Sequence, residues 1–164
     1  MRVLIFGALI IFNFTLQATI FTYIEILQVA PNTALLIVVA YAMLRDDVEG
    51  AIVGFFTGLL IDIVFGQIIG FYALFYALIG FFCAKPFKDF VRENYLLPIA
   101  LTIASVITLE SITFGAMFAL RGNAEFFYYL RTRILPATIY TVMLSVPIYM
   151  MVYRINKALE KRYR

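Results

Sequence analysis

Gly50, Gly54, Gly58, Asp62, Gly66 and Gly70 stand four residues apart, and Asp62 is the sole charged residue between Ala51 and Ala84. On a helix, positions four apart lie on nearly one face. Gly50, Gly54 and Gly58 are therefore expected to form a bare stripe that ends in the Asp62 carboxylate. A glycine stripe in an apolar helix lets another backbone come close, and that packing drives helix association in lipid. An ionised group in hydrocarbon needs a partner, water or a proton. The stretch is first of all a contact surface. As one helix, residues 51–84 would run about 51 Å, too long for a hydrocarbon core of about 30 Å. A split near Gly66–Gln67 gives two short spans joined by a minimal turn, a tight hairpin.

The rest of the chain places this hairpin in a bilayer. The chain is 64% hydrophobic and 14% charged, against about 45–50% and about 25% for a soluble domain. The expected fold is an all-α membrane protein, one polytopic domain over residues 1–164. Its six transmembrane helices fall at about 3–24, 27–44, 50–65, 68–84, 95–120 and 134–153. Val3 to Ile24 is too long for a signal-peptide core and is expected to be retained. Pro31 is expected in the first turn of the second helix, and Arg45 to Glu49 forms a charged turn. The aromatic stretch Arg121–Arg133 is expected as an interfacial loop. The net charge of +3 sits at segment ends, which speaks of topology and not of nucleic acid. With both termini inside, Arg2, Arg45, Lys85, Lys88, Arg92, Arg154, Lys157, Lys161, Arg162 and Arg164 face inward. Arg121, Arg131 and Arg133 face outward, and this ten-to-three ratio favours N-in, C-in. There is no histidine and one cysteine. No catalytic group, thiolate or imidazole metal site, or cofactor is expected. Cys83 is expected as a small buried residue.

Three polar residues fall inside these spans. Asp62 lies about 18 Å, and Gln17 and Glu110 about 22 Å, from the inner ends of their helices. All three therefore belong to the outer half of the bilayer. If their faces converge, Gln17, Asp62 and Glu110 form one polar cluster, approached from the outer loop by Arg131 and Arg133. Such a cluster is a structural knot, a partner contact or a ligand pocket. Two lone carboxylates do not license acid–base chemistry. The basic tail, Arg154, Lys157, Lys161, Arg162 and Arg164, reads as an inner-leaflet anchor for anionic lipid, or as a dock for a cytoplasmic filament.

Pro31-Asn32, the charged turn up to Glu49-Gly50, and GFFTGLLIDIVFGQIIGFYAL from Gly54 to Leu74 together resemble the MreD family of bacterial rod-shape proteins. The matching positions are Gly54, Phe55, Gly58, Leu59, Asp62, Gly66 and Gly70, followed by Ala73 and Leu74. Leu135-Pro136 and Tyr140 are similar to the family's last span, while Thr141 stands where relatives often carry Asn. The resemblance implies a non-enzymatic, multi-pass subunit of the cytoplasmic membrane, in the cell-elongation complex that governs cell shape and peptidoglycan synthesis. Its partners would be MreC, the MreB filament directly or indirectly, RodA, a class B penicillin-binding protein and membrane lipid, with no nucleic acid. The glycine stripe and polar cluster would then hold partner helices, MreC's first among them. The resemblance also implies a fold similar to the substrate-binding subunits of energy-coupling-factor transporters. That suggests a second function, a small-molecule-binding transporter subunit. Such pockets are lined by aromatic and polar side chains, whereas glycine and aliphatic residues dominate these central helices.

Overall fold

The structure is a computed structural model that describes residues 2–19, 30–66, 68–84, 96–121 and 126–162. Its elements are α1 (Arg2–Thr19), α2 (Thr33–Leu44), α3 (Asp47–Phe65), α4 (Phe71–Ala84), α5 (Leu96–Arg121), α6 (Phe126–Tyr129), a π-helical turn (Leu130–Ile134) and α7 (Leu135–Arg162). No strand occurs among the described residues. Three helical stretches are long and apolar enough to cross a membrane: Asp47–Phe65, Leu96–Ala116 and Phe126–Leu159. α2 and α4 are apolar but shorter.

The centre of the bundle is α2. Its sequence, TALLIVVAYAML, is apolar on every side, and a helix of that kind must be covered on every side. Residues 33–43 are all buried, enclosed by α1, α3, α4, α5 and α7. At 12 residues, α2 rises only about 18 Å, so the longer helices around it form the outer shell.

That shell is polar inside and apolar outside. α5 buries Thr102, Ser105, Val106 and Leu109, and α7 buries Thr141, Ser145 and Asn156. Asp62 is 1% exposed, while Ile69, Met143 and Phe82 are 77%, 71% and 63% exposed. In water this distribution would be inverted. In lipid the apolar exterior costs nothing, and small and polar residues serve as helix–helix contacts.

Several boundaries differ from the sequence reading. Only Arg45 and Asp46 separate α2 from α3, because Asp47 and Glu49 form the first turn of α3, where acids favour the positive end of the helix dipole. Glu49 also stitches the junction: Tyr41 Oη donates to its Oε2 at 3.1 Å, and Arg45 Nε lies 3.8 Å from the same atom. Pro31 precedes α2 instead of opening it. The N-cap is Asn32, whose side chain accepts the Leu35 N–H at 3.0 Å. α4 begins at Phe71, and 68–70 form the turn before it. The aromatic stretch is not a loop beyond Phe126: it is helical and continues through the π turn into α7. The cause is packing on α5, where Phe114 meets Phe126 at 5.3 Å and Tyr129 at 5.0 Å between ring centroids. α7 likewise does not stop at 153 but runs to Arg162. The basic loop 85–93 and the end of the first expected span, 20–24, lie outside the described residues.

Candidate functional site

The glycine stripe is filled by the chain's own next helix. α3 and α4 run antiparallel, and each step of four along α3 is matched by a step of four back along α4. A Cβ built on Gly50 would lie 2.7 Å from the Gly80 carbonyl oxygen. One on Gly54 would lie 2.7 Å from the Tyr76 carbonyl carbon, and one on Gly58 2.6 Å from Ala73 Cα. Ala42 of α2 closes on Gly50 from the other side, 3.0 Å from the same built Cβ. Glycine is the residue that permits such a backbone approach. Gly80 is the counterpart on α4, since a Cβ there would strike the Gly50 peptide. It stands outside the four-residue series, and only the antiparallel register could have pointed to it.

The regular spacing continues past the helix, but the stripe does not. Gly66 caps α3, its N–H donating to Asp62 and Ile61 carbonyls at 3.0 and 3.1 Å. Gly70 has φ +98°, with open space where a Cβ would be. That left-handed conformation favours glycine, so Gly70 serves the turn.

Asp62 closes the same hairpin. Its Oδ2 accepts the N–H groups of Gly70 and Ala73 at 3.0 and 2.9 Å, and its Oδ1 accepts that of Tyr72 at 3.0 Å. The first N–H groups of a helix have no partner within it, and a side chain at the N-cap usually supplies one. Here the residue before α4 is glycine, so a carboxylate from the preceding helix does that work. Its negative charge also lies at the positive end of the α4 dipole.

The other polar groups are engaged pair by pair. Thr33 Oγ1 donates to Gln17 Oε1 at 3.3 Å. Tyr129 Oη donates to Glu110 Oε2 at 3.2 Å, and the charge of Arg133 acts on Glu110. Thr113 Oγ1 donates to the Leu109 carbonyl at 2.8 Å. Among the described residues no hydrogen bond joins Gln17, Asp62 and Glu110 to one another. Each is satisfied separately, Gln17 by Thr33, Asp62 by three backbone N–H groups and Glu110 by Tyr129. Arg131 and Arg133 are exposed on the π turn.

Asn32 joins three helices. Its Oδ1 accepts from Tyr76 Oη of α4 at 2.8 Å, and its backbone N–H donates to Thr141 Oγ1 of α7 at 3.2 Å. Tyr76 and Thr141 are fully buried. Sequence reasoning missed Tyr76, Tyr129 and Thr33 as partners, because a tyrosine or threonine in an apolar run carries no spacing signal.

The model of the family described as rod shape-determining protein MreD matches residues 1–158. The chain belongs to the MreD family. No curated protein and no solved structure matches it. The residues that carry the MreD resemblance, from Gly54 to Gly70, are thus those that close the α3–α4 hairpin. Thr141, which stands where MreD relatives often carry Asn, supplies the acceptor for the Asn32 N–H. Thr141→Val strands that N–H and should cost about 1–3 kcal/mol, whereas Tyr76→Phe removes one donor from an oxygen that keeps another and should cost about 0.5–1.5 kcal/mol. Thr141→Asn retains an acceptor and should stay near wild type. Thermal unfolding of the purified variants in detergent ranks the three, and an unshifted Thr141→Val would exclude the bond's contribution.

Residues of α4 and α5 line an apolar groove of about 310 Å³, among them Cys83 and Ser105, 3.6 Å apart between Sγ and Oγ. Cys83 is a free, buried thiol. Of the basic tail, Arg154 and Lys157 are exposed on α7. The side chains of Lys161 and Arg162, and all of Arg164, lie outside the description.

Proposed function

We propose that this chain is a non-enzymatic subunit of the bacterial cell-elongation complex, binding MreC in the cytoplasmic membrane and helping to organise peptidoglycan synthesis. The observation that carries the reading is the family match over residues 1–158. The inside-out distribution of polar and apolar surface supports a membrane setting. In this reading the chain crosses the membrane six times with both termini in the cytoplasm. The arrangement is similar to that of substrate-binding subunits of energy-coupling-factor transporters. Because α4 occupies the glycine stripe, partner helices meet the outer faces of the bundle and not the stripe itself. RodA, its class B penicillin-binding protein and the MreB filament join through the same assembly. The transporter reading rests on the six-helix layout and the buried acids; the internal engagement of Asp62 and Glu110 speaks against a ligand role for the acids.

The test is to crosslink lightly in native membranes, purify the tagged chain in mild detergent and identify what accompanies it. Recovery of a single-span protein with a periplasmic coiled coil and a peptidoglycan synthase supports the proposal. Recovery of an ATPase pair, or of a small molecule held by the isolated chain, overturns it.

A further inference from the structure

The lipid-facing surface of α7 is bracketed by cations. Between exposed Arg133 and exposed Arg154, its outward residues are apolar, among them Leu135, Ile139, Met143, Met150 and Met151. This interval is about 31 Å along a helix, the thickness of the hydrocarbon core. With Arg133 at one membrane surface, Arg154 therefore falls at the phosphate level of the other. Lys157 follows about 4.5 Å further along, on the same exposed side.

The ridge is held in place from behind. Val152, Asn156 and Leu159 are buried on the opposite side of α7, so this end of the helix is packed against the bundle. Tyr153 stacks on Tyr149, with ring centroids 6.3 Å apart, and Lys157 Nζ lies 5.7 Å from the Tyr153 ring. Among the described residues no carboxylate pairs with Arg154 or Lys157. Over 154–162 the sequence sets Arg154, Lys157, Lys161 and Arg162 against Glu160.

We propose that Arg154 and Lys157 form a fixed binding ridge for the headgroups of anionic phospholipids. Depth decides between lipid and an acidic protein. Arg154 continues directly from lipid-facing methionines, at the level where phosphates lie and a soluble partner would have to displace them. A cation near an anionic leaflet contributes enough to favour binding about fivefold, and two held side by side select the charged headgroup without any induced fit. The ridge does not depend on the chain's role in cell elongation and is measured on the isolated protein.

The experiment reconstitutes the purified chain in nanodiscs of phosphatidylcholine doped with phosphatidylglycerol. The annular fraction of spin-labelled phosphatidylglycerol is compared with that of spin-labelled phosphatidylcholine. The wild type should enrich phosphatidylglycerol, and raising the salt toward 1 M should weaken the enrichment as screening shortens to about 3 Å. Arg154→Gln/Lys157→Gln should lower the enrichment by about fivefold per charge removed, while Arg154→Lys/Lys157→Arg should retain it. Both positions are exposed, so unfolding in pure phosphatidylcholine should be unchanged in both variants. Equal enrichment in the wild type and the Gln variant overturns the proposal. So does a Gln variant that keeps its lipid selectivity but loses a co-purifying acidic protein.

Discussion

Gly58→Leu is expected to separate α3 from α4 in the isolated chain, with no partner present. The clash begins at the first side-chain atom, since the built Cβ is 2.6 Å from Ala73 Cα and closer still to the Tyr72 carbonyl oxygen. Both obstacles are backbone, so no rotamer change relieves them. Overpacking a tight core with one or two methylenes costs about 1–3 kcal/mol. Gly58→Ala should fall at the upper part of that range, and Leu should exceed it. Because a membrane protein's stability rests on such close contacts, the Leu variant should fail to give a monodisperse detergent complex. Gly115→Ala is the control: Gly115 is exposed and a Cβ there meets nothing within 4 Å, so it should be neutral or slightly stabilising through helix propensity. The assay is thermal unfolding followed by size exclusion. If Gly58→Leu unfolds like wild type alone but no longer recovers a partner from membranes, the stripe is an intermolecular surface and its pairing with α4 is not what holds the hairpin.

The hairpin was the most legible part of the fold because its signal is periodic and local. A four-residue glycine series, an acid in register with it and an excess of length over the bilayer are all visible in one line of sequence. What the series did not contain was its occupant. A bare stripe asks for a helix without saying which, and the answer, α4, came from the antiparallel register that pairs Gly50 with Gly80. The centrality of α2 was less legible. Its uniform apolarity shows that it is covered on all sides, but the sequence reading made it one of six spans, at about 27–44, with nothing to set it at the centre. The buried polar groups were legible as residues in need of partners and not as a set of bonds. Gln17, Asp62 and Glu110 were placed in one slab by counting residues. Their true partners, Thr33, three backbone amides and Tyr129, are groups whose roles depend on where chain turns occur. The aromatic stretch misled for a related reason: Phe and Tyr at an interface look the same in a loop or a helix until Phe114 and Glu110 are seen opposite Phe126 and Tyr129.

Asp62→Leu should be the most damaging single change in the chain, and Asp62→Asn separates the reasons. In the native hairpin three N–H groups converge on one carboxylate that is 1% exposed. Leucine has the same branching at Cγ but is bulkier, and it leaves all three without a partner. A buried unsatisfied donor costs about 1–3 kcal/mol, and lipid offers no water to replace the lost acceptor. Together these are comparable with the whole stability of a typical domain, so the variant is expected to be cleared from cells or to aggregate on extraction. Asparagine keeps one acceptor oxygen but turns an NH₂ group toward other donors and removes the charge from the end of the α4 dipole. It should remain foldable yet clearly less stable, with faster hydrogen exchange at Gly70, Tyr72 and Ala73 than anywhere else in α4. A proton-carrying Asp62 makes the opposite prediction: Asn would leave stability and exchange untouched and abolish function alone. The exchange rates of those three amides therefore decide between a staple and a proton site. The expectation is a staple, because all three donors come from a turn and a helix start, and the Asp62 carboxylate accepts each of them. Since Gly58 and Asp62 hold successive turns of one seam, Gly58→Ala and Asp62→Asn combined should cost less than the sum of the two. Once the hairpin has opened at one point, the other has less left to lose.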